Sequence, residues 1–357
     1  MIKILHSADW HLDAPMSGHN PEDTEYLRRQ LRKLPEKIAK LCIAQGCDVM
    51  LLSGDLFDGN PSAETVRTVQ KALQEVNIPV FIAPGNHDFV AAGSAYEMDG
   101  WPENVHIFKS AKLESVSLPE LSIRIYGAGF ESMDCPALLK GFQAAGPESW
   151  HIGVLHGEAE AAGSAYCPIT REQLRSSKLS YLALGHIHKS SSLRAGDTLC
   201  AWPGCPMGRG YDELGAKGVI LVTLEQEVKA AFLPLDTPRF YDEKVEAGDS
   251  GFDAVAALLP ELATEDFYRI TLTGYSTGID LAQLKAAFPH VPHLILRDQT
   301  RPEMDLWGAV GEDTLEGVLF GLLQQAAESD NETLSSRAKL SARICRQILD
   351  GQEVKLP

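Results

Sequence analysis

Positive charge is scarce in this chain: 32 Lys plus Arg stand against 49 Asp plus Glu in 357 residues, a formal net charge of −17. A field of that sign cannot hold nucleic acid in bulk, so such a substrate would need metal ions, a local basic strip or a partner. Long apolar runs are also missing, and none approaches the ~18 residues of a membrane span. At the N-terminus His6 and Asp9 interrupt any signal-peptide core. A cytoplasmic protein with no membrane association is expected. Cysteines are few, at 42, 47, 135, 167, 200, 205 and 345, odd in number and without a C-x-x-C pair. That excludes a zinc ribbon or a secreted disulfide framework and predicts reduced thiols.

What is present is an ordinary globular balance, 44% hydrophobic and 23% charged, in a chain long enough for two or three domains. Apolar, partly β-branched runs at 2–5, 49–52 and 80–83 each lead into polar residues, with helix-length segments at 22–45 and 63–76 between them. Alternating strands and helices imply βαβ crossovers, whose ligands bind beyond the carboxyl ends of the strands. Short strand-like runs across 105–126 predict a mixed sheet, and 151–155, 181–184 and 218–224 read as further strands. Beyond 238 a β-α-β pattern at 267–273, 281–288 and 293–296 predicts a smaller second domain. Helices are predicted at 314–327 and 333–349, the second capped by Asn331. Leu315, Val318, Leu319, Leu322 and Leu323 form an apolar stripe on the first, expected to pack on the body of the protein, with a partner helix as the alternative.

Five polar clusters follow the strands. Asp9-Trp10-His11 offers an oxygen and a nitrogen that would project together from an extended segment. Ser53-Gly54-Asp55 pairs a tight turn with a carboxylate able to bridge two cations, and Pro84-Gly85-Asn86-His87-Asp88 gathers an amide, an imidazole and a carboxylate in one turn. His156 ends a strand, and His186 and His188, two apart on an extended segment, would form a chelating pair. Any one of these is common as a structural feature; all five in this order are not. His6, His19, His106, His151, His290 and His293 belong to no such cluster and read as structural or solvent-exposed.

In that order the residues resemble the calcineurin-like metallophosphoesterase superfamily. More closely, 8–15 (ADWHLDAP), 54–58 (GDLFD) and 184–189 (LGHIHK) resemble the SbcD-type DNA repair nucleases, in their YhaO-like bacterial branch. Trp202-Pro203-Gly204 followed by Gly208-Arg209 is similar to the turn after the histidine pair there. The resemblance implies an α/β sandwich of two mixed sheets flanked by helices at 1–238, a small α+β capping domain at 239–305 and a helical segment at 306–357. It implies two divalent ions, one on Asp9, His11, Asp55 and His188, the other on Asp55, Asn86, His156 and His186. Manganese is the expected metal, with iron or zinc as alternatives. His87 would face the substrate with Asp88 orienting it or standing behind it, and Lys189 and Arg209 would contact substrate phosphate. Some relatives have histidine where this chain has Asp58, which leaves the second proton donor open. The implied partners are DNA, a second copy of the chain and a coiled-coil ATPase of the SbcC or YhaN kind. The basic residues Arg28, Arg29, Arg32, Lys33, Lys37 and Lys40 form either a phosphate-facing strip or a solvated helix face. The activity implied is two-metal DNA exonuclease or endonuclease chemistry in repair; the alternative is a small-molecule or nucleotide phosphodiesterase or phosphatase.

Overall fold

The computed structural model describes residues 1–357 apart from 162, 249, 263, 277, 303, 304, 352, 353 and 355–357. The chain begins β1 (Ile2–Ser7), α1 (Pro21–Arg32), α2 (Leu34–Gln45), β2 (Val49–Leu52), α3 (Ala63–Val76), β3 (Val80–Ile82) and β4 (Val105–Ile107). It continues β5 (Glu114–Leu118), β6 (Ile123–Gly127), β7 (Trp150–His156), α4 (Arg171–Ser176), β8 (Tyr181–Gly185), β9 (Ser191–Ala195), β10 (Thr198–Trp202), β11 (Gly218–Leu224) and β12 (Val228–Pro234). There follow β13 (Phe240–Glu246), α5 (Phe252–Ala256), β14 (Phe267–Thr273), β15 (Tyr275–Ser276), α6 (Leu281–Ala286), β16 (His293–Asp298) and β17 (Arg301–Pro302). Two helices, α7 (Leu315–Ala327) and α8 (Glu332–Leu349), come last.

Two mixed six-stranded sheets dominate, in the orders β12-β11-β1-β2-β3-β4 and β5-β6-β7-β8-β10-β9. β1 through β4 run parallel, and so do β6, β7, β8 and β10. The alternation of side chains explains the layers. Ile4, Val49 and Leu51 meet Ile125, Ile152, Val154 and Ala183 between the sheets. Their neighbours Leu5, Met50 and Leu52 point the other way, onto Leu27, Ile38, Val66 and Leu73 of the first three helices. Leu155, Leu182 and Leu184 likewise turn outward onto Phe130, Leu139 and Ile169. A strand buried on both faces must be apolar throughout, which is why β2 reads Val-Met-Leu-Leu.

The segment 22–45 is two helices rather than one. Lys33 lies between α1 and α2 with φ −84° and ψ −11°, and Pro35 occupies the first turn of α2. Proline lacks the N–H that would continue the ladder and suits a helix start. The basic residues of that stretch are therefore shared between two helices.

The chain divides into two compact units: Met1–Asp242 with Ala263–Arg269 and Val291–Leu294, and Glu243–Leu262 with Ile270–His290 and Ile295–Pro357. Within the second unit α7 and α8 bury Phe320 and Ala342 against each other, with Trp307 and Leu323 alongside. Thr314 and Asn331 cap the two helices through their side chains. The apolar stripe of α7 does not pack as expected: Leu315 is 87% exposed, Val318 59% and Leu322 63%. Gly317, Phe320 and Ala327 are the buried ones, and of the stripe only Leu323 packs beside them. All seven cysteines are free thiols, and no helix among the described residues is long and apolar enough to cross a membrane.

Candidate metal centre

Every residue of the five clusters sits at or just past the carboxyl end of a parallel strand: Asp9 and His11 after β1, Asp55 after β2, Asn86 and His87 after β3, His156 closing β7, His186 and His188 after β8. Backbone bonds fix their mutual position. Asp9 N–H donates to the Gly54 carbonyl at 3.0 Å and His11 N–H to the Asp55 carbonyl at 2.9 Å. His186 N–H reaches Asp9 Oδ1 and His87 N–H reaches Asp55 Oδ1, each at 2.9 Å.

The ligand-bearing segments are turned rather than extended, contrary to the expectation from sequence. Asp9 (φ 54°), His11 (47°), Asp55 (51°) and His186 (90°) all lie in the left-handed region. Side chains rarely adopt it, and such strain gathers at functional sites where the surroundings enforce it. Its effect is to send His186 and His188 to different partners, so they are not a chelating pair on one ion. His188 joins Asp9 and His11, while His186 joins Asp55 and His156; within each trio the ligand atoms lie within 4.8 Å of one another.

Asp55 Oδ2 stands between the trios, 3.7 Å from His11 Nε2 and 3.3 Å from His156 Nε2. His11 Nε2 and His188 Nε2 face each other at 3.1 Å. Asn86 Oδ1 lies 2.9 Å from His156 Nε2 and 3.1 Å from His186 Nδ1. Glycines make the close approach feasible. A Cβ on Gly85 would come within 2.2 Å of Asp55 Oδ1, and one on Gly54 within 2.4 Å of His156 Nδ1.

These donors fit divalent cations. Asp9 Oδ2 is buried with no hydrogen-bond partner among the described residues, a costly arrangement unless a ligand completes it. Three ring nitrogens have other protein partners: His156 Nδ1 the Ser53 carbonyl at 2.9 Å, His188 Nδ1 Glu213 Oε1 at 2.7 Å and His186 Nε2 Glu158 Oε1 at 3.2 Å. Such outer bonds leave the other nitrogen's lone pair facing the site. The mixed imidazole, carboxylate and amide set belongs to transition metals rather than to calcium.

The electrostatics centre on Asp55, whose negative charge is balanced by a proton on His156 that a cation bound there would displace. Burial pushes Asp9 up to about 6. Burial would raise Asp55 as well, yet His156 and His11 outweigh it and hold that carboxyl well below its ordinary range. Burial opposes charge on His156, but Asp55 wins and lifts it to about 9. Burial, helped by Arg209, lowers His11 to about 3. The pocket thus keeps its central carboxylate ionised and draws positive charge toward it.

The groups around the clusters differ from the sequence reading in two places. Asp88 does not orient His87. Buried, it accepts from Gly85 N–H at 2.7 Å, Leu56 N–H at 2.7 Å and the Tyr96 hydroxyl, tying the β3 turn to the β2 turn. The group on His87 Nδ1 is Asp58, at 2.7 Å, and its hydrogen bond raises the imidazole above its ordinary value. Glu213 carries no sequence signal at all, yet it binds His188, accepts from Arg209 N–H at 2.8 Å and pairs with the Arg209 guanidinium at 2.8 Å. Arg209 Nη2 lies 3.3 Å from His188 Nδ1, beside the centre, whereas Lys189 is exposed. His6 is structural as expected, buried between Tyr181 Oη and Ser53 Oγ at 2.8 Å each.

The sandwich and its paired Asp/His clusters are those of a metal-dependent phosphoester hydrolase. A profile of the calcineurin-like phosphoesterase family matches residues 2–190, and the chain belongs to that family. It is 34% identical over 234 residues to the uncharacterized metallophosphoesterase YhaO of Bacillus subtilis, covering 62% of this chain. The match spans 57% of that relative's length. Similarity extends to the SbcD component of the nuclease SbcCD from Staphylococcus epidermidis, 23% identical over 81% of this chain and 84% of the relative. Among solved structures, a dimetal phosphatase from Danio rerio aligns with a TM-score of 0.41 at 14% identity, over 66% of this chain and 98% of its own.

Proposed function

We propose that the chain is a two-metal phosphodiesterase acting on DNA in repair. The observation that carries the reading is the position of Asp55 Oδ2 between the two clusters, 3.3 and 3.7 Å from an imidazole of each. Asp9, His11, Asp55 and His188 would hold one divalent ion, and Asp55, Asn86, His156 and His186 the other. Bound there, the pair of cations supplies Lewis-acid charge and lowers the pKa of water. The nitrogen and oxygen donors favour manganese, iron or zinc; manganese follows from the likeness to the SbcCD nuclease.

His87 is the imidazole left for the substrate. It is 44% exposed at its side chain, with Nδ1 fixed by Asp58. Nε2 is then free to hold a proton for the departing oxygen, and Asp58 favours the protonated ring. Asp58 in this reading orients His87. Arg209, braced by Glu213, and Lys189 supply positive charge to the phosphate. Asp88 positions the turn and touches no reacting atom.

DNA as substrate rests on the likeness to the SbcCD nuclease and on the motifs around the ligands. The same likeness suggests a coiled-coil ATPase partner, for which the exposed stripe on α7 is the surface available, and a homodimer. We read 1–238 as the nuclease domain, 239–305 as a capping domain and 306–357 as the helical segment. The net charge of −17 favours a small phosphodiester instead, and the two readings share their metals. The deciding experiment incubates the wild type and His87→Ala with manganese and single-stranded DNA, duplex DNA or a simple aryl phosphodiester. DNA cleavage by the wild type, lost in a variant that still binds metal, is expected. Cleavage of the aryl ester alone would sink the nuclease reading, and full activity of the variant would remove His87 from its role.

A further inference from the structure

Within the second unit a cavity of about 640 Å³ opens between the β14–β15 turn, the start of β17 and one face of α8. Arg301 and Arg343 both line it. Neither makes an ion pair among the described residues, although Glu246 lies on the same wall. In a chain of net charge −17, two unneutralised guanidiniums on one cavity are conspicuous. The Arg343 guanidinium lies over the Tyr275 ring, 4.6 Å from its centroid. That contact holds the plane while leaving its N–H edge without a partner.

A second observation is independent of the charge. Gln347 lines the same cavity at 6% exposure, and its side-chain amide makes no hydrogen bond among the described residues. The amide therefore has donors and an acceptor to spare for a ligand in the cavity. Leu340 and Ile344 add an apolar patch to the wall. The volume falls in the range of organic ligand sites, roughly 300–1,000 Å³.

We propose that this cavity binds a small organic phosphate of nucleotide size. The two guanidiniums donate to the phosphate oxygens, Gln347 completes the hydrogen bonding, and Leu340 and Ile344 cover the organic part. Fork-shaped donors suit the oxygens of a phosphate dianion, and no cation is needed to hold it. None of these residues belongs to the metal centre, so this would be a site separate from the catalytic one.

Calorimetric titration of the full chain with adenosine monophosphate, inorganic phosphate and succinate, each with divalent metal and again with chelator, tests the assignment. Adenosine monophosphate is expected to keep one binding event in chelator, tighter than inorganic phosphate and tighter than succinate. Arg301→Gln and Arg343→Gln should each weaken that event by about tenfold or more. Arg301 is exposed, so its variant should unfold at the wild-type midpoint and decide the matter even where Arg343→Gln folds poorly. Loss of all binding in chelator, unchanged affinity in Arg301→Gln, or succinate binding as tightly as the phosphates would overturn the proposal.

Discussion

Glu213 illustrates how much of the centre depends on single side chains outside the motifs. Burial would raise its pKa, but the hydrogen bonds from His188 and Arg209 hold it far below the ordinary carboxylate range. Replacing it by Gln keeps the shape and removes the charge that fixes the His188 tautomer. Metal affinity should fall about 10–100-fold, as losses of such supporting groups usually do. Competition of the variant with a chromogenic chelator measures this; an unchanged affinity would reduce Glu213 to a packing role. His6 offers a test by pH. Burial lowers it from 6.5 to about 3 in the folded protein. Between those values the unfolded chain binds a proton that the native one refuses, so stability falls as pH drops below about 6.5. The group contributes up to about 1.4 kcal/mol per pH unit. Urea unfolding across that window should show a shallower slope for His6→Asn than for the wild type. The five polar clusters were legible because unlike donors followed apolar runs, while the set of seven candidate ligands came from the family resemblance. Glu213 was not legible, since it stands 25 residues from His188 in an irregular turn and only tertiary folding joins them. Asp88 misled through its adjacency in sequence to His87, whereas Asp58, 29 residues away, supplies the contact.

At the scale of elements, alternation located the strands and hence the edge where ligands collect. It could not foresee the left-handed turns at Asp9, His11, Asp55 and His186, which depend on bonds between neighbouring loops. Pro35 was a visible break in the 22–45 segment, and its helix-starting role explains why the break yields two helices rather than one kinked helix. The α7 stripe shows the opposite limit, because periodicity identifies an apolar face without saying what covers it. Phe320, wholly buried under Arg346, is what ties α7 to α8. Phe320→Ala should therefore cost the second unit about 3–5 kcal/mol, typical of a buried aromatic truncation. Leu322→Ser, on the 63% exposed stripe, should cost within about 0.5 kcal/mol. Denaturant unfolding followed by tryptophan fluorescence, with Trp307 packed beside Phe320, compares the two. Equal losses would mean that the stripe is covered in solution.

For the whole molecule the difficulty is a polyanionic protein proposed to bind a polyanion. Attraction must come from local contacts, and one group is at hand in the first unit: Arg28 and Arg32 line a cavity of about 250 Å³ with Asp13 and Ser62. Asp13 is engaged by Ser62 N–H at 2.9 Å and the Thr65 hydroxyl at 2.8 Å, and neither arginine forms an ion pair among the described residues. Each duplex phosphate they neutralise would release counterions and add about −0.9 to the slope of log affinity against log salt. Duplex binding by the metal-loaded protein should thus weaken steeply with salt, and Arg28→Ala with Arg32→Ala should flatten the slope by nearly two such increments. The acidic remainder of the surface repels DNA at longer range, and salt screens that repulsion as well, so the measured slope is a lower bound on the phosphates contacted. A nucleotide-sized substrate meets one or two charges inside the metal centre and would give nearly the same KM throughout. Fluorescence anisotropy with labelled duplex, set against KM for an aryl phosphodiester over the same salt series, separates the two. A flat profile for both substrates, unaltered by the double substitution, would leave the acidic surface unanswered and favour the small-molecule reading.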